Sequence, residues 1–577
     1  MIRIIDVQRV PATGDPNRAV LSADVPARMA EDEAAVLVVG GGTGGVAAAL
    51  AASRAGLRVT LLEETSWLGG QFTSQGISAL DEHDHIEAFG GTRSYYELRN
   101  RIRAAYRERY PAVAQERQLN PGGCWVTRLA FEPRVAVEVL AEMIGPQAAA
   151  GRLRVHLRRK ALAAEMEGDR LEAVVSFGLE DGTFVRHRFR HVIDATETGD
   201  LLPLAGIPYA LGAETIADTG EPHAQPVHAR PEAVQSLTYP VALRLAAEAP
   251  PPPILPPRYA VYRDGQPYSL DIHVRAGEIY GDTTGVLAYD VFERRPGTKG
   301  GLWDYRRLVD GAQVGLGGER DVSIFNWPGN DYRDRSIVDR PADDVATSLQ
   351  EAKWVSLGFL HWIRTEAPRA GGGTGYPEIV PAPDVYGTHD ALAMHPYIRE
   401  GRRILGRTRV VEQDVSVEFQ AGARARHFDD SVGVGWYPID IHAASPDDIG
   451  ISTRTRPFQI PLGALVPQRA TNLIAGGKNL ATTHITNGCY RLHPVEWNVG
   501  ESAGLLAAFC QTNGCEPPDV TTDQPLLRSF QRSLAAQGIP MAWFVDVGVD
   551  HPAFAALQAA AAAGEVAFDP NQLSSMT

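Results

Sequence analysis

Residues 34–64, AAVLVVGGGTGGVAAALAASRAGLRVTLLEE, decide the fold of this chain. Residues 35–39 are an apolar, β-branched-rich run of the kind that suits a strand buried on both faces. Gly40, Gly42 and Gly45 follow in G-x-G-x-x-G spacing, and an Ala-rich helical stretch begins at once. Gly40 permits a tight turn, Gly42 lets backbone approach a pyrophosphate, and Gly45 lets the helix pack close to the strand. With Thr43 and Gly44 they open the helix, whose free N–H groups and positive dipole end attract phosphate. A second strand, LRVTLLE, ends in Glu63, 23 residues after Gly40, with Glu64 next. A carboxylate there can accept hydrogen bonds from a ribose diol, which suits NAD or the AMP half of FAD and disfavours NADP. Strand, glycine loop, helix and acid in this order set the spacing apart from a chance glycine-rich turn.

The rest of the composition narrows the field. At 577 residues the chain predicts two or three domains. With 44% hydrophobic and 22% charged residues it reads as globular. A net charge of −15 argues against nucleic-acid or anionic-membrane partners. The four cysteines, Cys124, Cys489, Cys510 and Cys515, show no metal-type spacing and match a reduced compartment. The first residues carry no long apolar core or small-residue cleavage site, and no apolar run reaches the length of a membrane span. A bacterial, cytoplasmic protein, monomer or homodimer, is the expectation.

Two distant segments join the glycine loop. After Glu63 comes TSWLGGQF, and its Gly69, Gly70 and Gln71 resemble the return along the pyrophosphate seen in glutathione-reductase-type flavoproteins. HVIDATETGDLLPLAGI, residues 191–207, carries Asp194, Ala195 and Thr196 at a strand end similar to the one that closes the FAD domain there. Glu197 and Thr198, standing before Gly199, depart from that pattern. Residues 470–509, ATNLIAGGKNLATTHITNGCYRLHPVEWNVGESAGLLAAF, read as a strand ending in Gly476 and Gly477, a polar loop, and a helix beginning near Asn498 to Gly500. In the same flavoproteins such a helix faces the flavin pyrimidine and stabilises its negative charge. The resemblance therefore implies cofactor contacts from Gly477, Asn479, Asn487, Gly488, Asn498 and Gly500. SQGISALDEHDHIEAFGGTRSYYELRNRIR, NPGGCWVTRLAFEPRVA, FNWPGNDY, HPYIREGRRILG, VGVGWYPIDIH and TNGCYRLHPVEWNVGESAG resemble the bacterial FAD-dependent oxidoreductase family labelled xanthan-lyase-like. That likeness implies FAD as cofactor and leaves the substrate open.

The expected fold is α/β: a Rossmann-like FAD-binding domain with a parallel sheet, interrupted by an inserted α+β substrate domain. Residues 1–33 read as an N-terminal extension, 34–235 as the first part of the FAD domain, and 236–455 as the substrate domain. Residues 456–517 return to the FAD domain, and 518–577 form a C-terminal helical tail capped at Asp550. Hairpin turns fall at Gly168-Asp169 and Asp181-Gly182, a helix at 341–365, and a proline run at 249–258. GGGTGY at 371–376 lacks a flanking strand and helix, so no second dinucleotide fold for NAD(P)H is expected.

Oxidising a C–H bond over a flavin needs a base for the accompanying proton. His484 and His493 lead as base candidates, against a role in holding the loop. Arg491 and Arg399 suit a substrate carboxylate or the flavin O2 region, against pairing with Glu496 or Glu400. His442 and Tyr397 are placed on the substrate side. In DEHDH, residues 81–85, a metal site is set aside because no second ligand cluster matches, and Asp81 and His83 are expected to touch substrate or flavin. Cys489 is weighed as a covalent flavin attachment point against simple packing. The expected function is FAD-dependent oxidation of a small or medium organic substrate by hydride transfer to flavin N5, as dehydrogenase or oxidase, with the electron acceptor open. A flavin-dependent isomerase or dehydratase without net redox change, and a flavin-binding interaction protein without turnover, are the alternatives.

Overall fold

The computed structural model describes residues 2–251, 255–265, 268–274, 285–566 and 569–574; part of the proline run (252–254) lies outside them. Val36–Val39 (β1) is buried along its whole length. It pairs in parallel with Val59–Leu62 (β2), which pairs with Leu153–His156 (β3). On the other side it meets His191–Asp194 (β4), which pairs with Leu473–Ala475 (β5). The sheet order is β5-β4-β1-β2-β3, all parallel, as expected of a Rossmann-like α/β domain. β1, β2 and β4 expose neither face, and β1 is accordingly apolar without alternation.

The helix Thr43–Arg54 follows β1, and every residue from Thr43 to Ser53 is buried. Against it runs the helix His493–Asn513. The two meet backbone to backbone. A Cβ added at Gly500 would lie 1.9 Å from the carbonyl oxygen of Gly44, and one at Gly504 would lie 2.3 Å from that of Ala48. Small residues at these positions let the chain's end close over its beginning.

Residues between β4 and β5 build a second, antiparallel sheet: Arg307–Val309, Val322–Phe325, Val241–Leu245 and Ile379–Pro381, in that order. Its strands alternate between two cores, as a period of two requires. Val241, Leu243 and Phe325 join an aromatic-rich core with Phe359 and Leu360, while Ala242 and Ile324 join the core of the parallel sheet. The expected helix is present at Ala342–Thr365. Residues 2–33 fold with both parts. Val7, Val10 and Ala19 enter the aromatic core, and Gln350 and Trp354 donate to the carbonyls of Pro11 and Ala12. Ala30–Glu33 pairs with Phe184–Arg188 at the edge of a four-stranded sheet whose hairpins turn at Gly168 and Gly182.

Two elements start elsewhere than their sequence suggests. Helix is expected only from about residue 498, yet 481–497 is largely helical, with His484–Tyr490 followed by His493–Asn513. Thr483 caps the first helix by accepting from Thr486 N at 3.1 Å, and Pro494 in the first turn of the second carries a preset helical φ. At the tail, helix runs from Phe554 to Ala562 with Ala553 at its N-cap, and Asp550 instead lies 3.9 Å from Arg93. Among the described residues no helix is long and apolar enough to cross a membrane.

Replacing Gly500 with Ala should destabilise the protein by about 1–3 kcal/mol or more, because neither backbone can yield without separating the helices. Thermal and denaturant unfolding measure this; a Gly500→Ala protein as stable as the parent would show that the close crossing is not required.

Candidate active site

The carboxyl ends of β1, β2 and β4 open into a cleft lined by Gly40, Gly42, Glu63, Gly70, Ala195 and Thr196. Gly40 takes a φ of +96° with its Cα turned against Ala195, where a Cβ would sit 2.2 Å from the carbonyl oxygen. Glu63 spans the turn, accepting from Gly41 N and Thr65 N, each at 2.7 Å. Burial raises its pKa against those hydrogen bonds. Glu64 also lines the cleft. Burial alone would raise its pKa, but Lys160 and His395 hold it well below the usual range. Thr43 Oγ1 donates to Gly69 O at 3.0 Å, tying the helix start to the Gly69-Gly70 turn. A Cβ on Gly70 would stand 2.7 Å from Gly42 Cα and 2.9 Å from Glu197 Oε1, so this wall of the cleft is glycine backbone with the Glu197 carboxylate over it.

Asp194 closes the floor, accepting from Thr196 N and Oγ1, and burial pushes its pKa up to about 7. Asn479 Nδ2 donates to Asp194 O at 2.9 Å, and Gly477 N donates to Asn479 Oδ1 at 3.3 Å, which binds the late strand end to the early one. Glu197, one residue past Thr196, reaches back over Gly42 and pairs with Lys478, whose ammonium lies 3.7 Å from Glu496. Gln71 Nε2 donates to Glu496 and to Arg491 O, while Gln71 Oε1 is buried without a partner among the described residues. Burial raises Glu496 and Lys478 opposes it. Lys478, Glu197 and Glu496 escaped the sequence reading as site residues, although the inserted Glu-Thr pair and the Lys in GGKN were both visible.

Other expected cofactor residues have different surroundings. Gly44 and Gly45 serve close backbone approach, to Gly476 and Gly40, and Gly500 packs on Gly44. Asn487 Oδ1 accepts from Gln235, Gly488 abuts Asp440, and Asn498 holds the strand at Val432 and Val434. Cys489 is buried, its thiol on Thr486 O, and burial raises its pKa far above the ordinary value.

Beyond Tyr397 and Arg491 opens a chamber of about 520 Å³. Three ion pairs edge it: Arg306–Asp81 at 2.7 Å and Arg399–Asp331 at 3.1 Å, both buried, and Arg491–Asp440 at 3.4 Å, whose aspartate is partly exposed. Arg491 also donates to the Tyr397 hydroxyl at 2.7 Å. His442 lines the same chamber, its Nδ1 2.6 Å from Asp331 Oδ2 and its Nε2 3.4 Å from Asp440 Oδ2. Against the burial that disfavours charge, Arg399 and His442 hold Asp331 ionised, and His442 and Arg491 hold Asp440 ionised.

The remaining histidines point inward. His484 binds Glu400 at 2.9 Å and lines neither cavity. His493 Nδ1 accepts from Asp81 N at 2.9 Å, and burial lowers its pKa to about 4. His83 packs among Trp436 and Trp543, pushed down to about 3 by burial. Asp331, Asp440 and Tyr437 also escaped notice, although FNWPGNDY and VGVGWYPIDIH contain them.

A family model described as FAD dependent oxidoreductase matches residues 35–534. No curated protein matches the chain. Among solved structures it is similar to p-nitrophenol 4-monooxygenase PnpA from Pseudomonas putida DLL-E4, with 15% identity over 38% of this chain and 48% of that one and a TM-score of 0.23. It is similar to adenylylsulfate reductase from Archaeoglobus fulgidus, with 19% identity over 30% and 34% of the two chains and a TM-score of 0.20. A geranylgeranyl bacteriochlorophyll reductase-like protein from Thermoplasma acidophilum aligns over 89% of this chain and 85% of that one, at 9% identity and a TM-score of 0.34. The chain spans less than half the length of the first two.

The glycine-backbone wall, the helix start and Glu63 fit the adenosine diphosphate half of FAD, the family's cofactor. Replacing Glu63 with Ala should weaken FAD binding about tenfold to a hundredfold, the worth of hydrogen bonds to a charged group. Fluorescence titration of stripped protein with FAD measures it, and an unchanged affinity would remove Glu63 from the cofactor site.

Proposed function

The chain belongs to the FAD dependent oxidoreductase family, and on that premise we propose that it oxidises a small or medium organic molecule held in the chamber, with His442 as the base. The observation that carries this reading is the position of His442. Of the four histidines weighed from the sequence, it lines the chamber, and its ring is oriented by a carboxylate at 2.6 Å. FAD, when bound, supplies a ring that accepts a hydride at N5. Gly40, Gly42, Glu63, Gly70 and Thr196 would hold its adenosine diphosphate end, and Gln71, Gly477 and Lys478 lie toward the chamber side.

The protein's own part is proton handling and orientation. With Nδ1–H donated to Asp331, His442 presents Nε2 beside Asp440 Oδ2, 3.4 Å away, where a substrate hydroxyl would come between the two to hand its proton to the ring. Arg399 fixes Asp331 while donating to Ser236 O and Thr238 Oγ1, so the carboxylate that aims the ring is itself immobile. His493 has a holding role: a ring kept neutral by burial accepts from the Asp81 backbone and sets that wall of the chamber. Lys478 is buried against Glu197 and lies 3.7 Å from Glu496, so its charge is met by carboxylates of the chain itself.

His442→Gln should slow substrate-dependent flavin reduction by about 10²–10⁴-fold, the usual worth of a general base, with FAD content unchanged. His484→Gln should stay within about tenfold of the parent, since its ring is spent on Glu400. Anaerobic stopped-flow bleaching separates the two; wild-type reduction rates in His442→Gln would end the assignment.

A further inference from the structure

The chamber that the preceding reading makes the substrate site has a composition that selects among substrates. One wall is aromatic. Trp125 stands 4.7 Å from Tyr305 and 6.2 Å from Tyr289, and Trp327 stands 5.2 Å from Tyr289 and 5.5 Å from Tyr305, centroid to centroid. All four line the chamber, Trp125 and Tyr305 partly exposed and Tyr289 and Trp327 buried, with Trp327 edge-on to both tyrosines.

The other wall is charged yet neutralised. Four arginines line the chamber, Arg306, Arg333, Arg399 and Arg491, against five aspartates, Asp81, Asp271, Asp331, Asp440 and Asp448. Arg306, Arg399 and Arg491 are each buried against one of these carboxylates. At Arg306 or Arg399 a substrate carboxylate or phosphate would have to displace Asp81 or Asp331 and leave that carboxylate buried without its guanidinium, at a cost that outweighs the new contact. A neutral hydroxyl has no such conflict. It donates to a carboxylate and accepts from the adjoining guanidinium at once, using lone pairs and protons the ion pair leaves over.

Asn326 adds a side-chain amide to this lining. Alternating donors and acceptors opposite an aromatic platform match a ring with hydroxyls at its edge and C–H bonds on its face. We infer that the chamber binds a neutral, polyhydroxylated ring, a sugar or cyclic polyol, stacked on the Trp125–Tyr305 surface, and discriminates against sugar acids and sugar phosphates.

The test uses the FAD-loaded full chain and two readouts. Quenching of tryptophan fluorescence reports occupancy, and anaerobic loss of flavin absorbance reports oxidation. Methyl β-glucopyranoside, maltose and myo-inositol are compared with glucuronate and glucose 6-phosphate. At least one neutral probe should bind, with its acid or phosphate counterpart at least about tenfold weaker. Trp125→Ala should weaken the neutral probe by about tenfold at unchanged FAD content, and Asn326→Ala should weaken it independently. Binding of none of the neutral probes, tighter binding of the charged ones, or neutral binding indifferent to both substitutions overturns the inference. The oxidoreductase reading fails separately: neutral probes that quench tryptophan, and respond to both variants, but never bleach the flavin would retire the redox role and keep the polyol site. A carboxylate that bleaches the flavin would do the reverse.

Discussion

Everything in this molecule depends on how closely two helices from opposite ends of the chain cross. Thr43–Arg54 and His493–Asn513 approach until the Gly44 carbonyl occupies the place where a Gly500 side chain would be. That crossing brings the polar run 477–497 to the mouth of the parallel sheet, where Asn479 bonds to Asp194 and Glu496 reaches Gln71. Without it, cofactor cleft and chamber would share no wall. Small residues matter here through excluded volume more than through backbone freedom, since each permits a contact that a single methyl group forbids.

The second theme is buried charge. Arg399–Asp331 and Arg306–Asp81 are costly to desolvate, and removing one partner of such a pair costs about 3–5 kcal/mol. Fixed in place by further bonds to backbone, they make a rigid polar wall of nearly balanced charge. The same rigidity lets Asp331 hold two tasks at once, anchoring Arg399 and aiming His442. At the cleft, Lys478 joins Glu197 and Glu496 into a network that separates the glycine turn from the chamber.

How much of this was legible varies with the range of the signal. The glycine turn reads directly, because Gly40, Gly42 and Gly45 act through local backbone geometry. The strand end at Asp194 read equally well. The start of the late helix did not: small residues at 498–504 drew attention from Pro494 and Thr483, which govern the actual boundaries. His484 and His493 looked like bases because they stand in a polar run. Burial turned both inward, one onto Glu400 and the other onto the backbone of Asp81.

Short-range spacing and periodicity determined the α/β dinucleotide fold, while FAD and the junction of early and late motifs followed from the likeness to known flavoproteins. Tertiary structure alone decided the character of the chamber. Its walls are drawn from residues 81, 125, 289–333, 397–399, 437–442 and 491, and no linear pattern joins them. Arg399 and Arg491, weighed as anion binders against pairing with Glu496 or Glu400, are paired instead with Asp331 and Asp440. Electrostatic pairing depends on distance in space, which a chain sets only by folding.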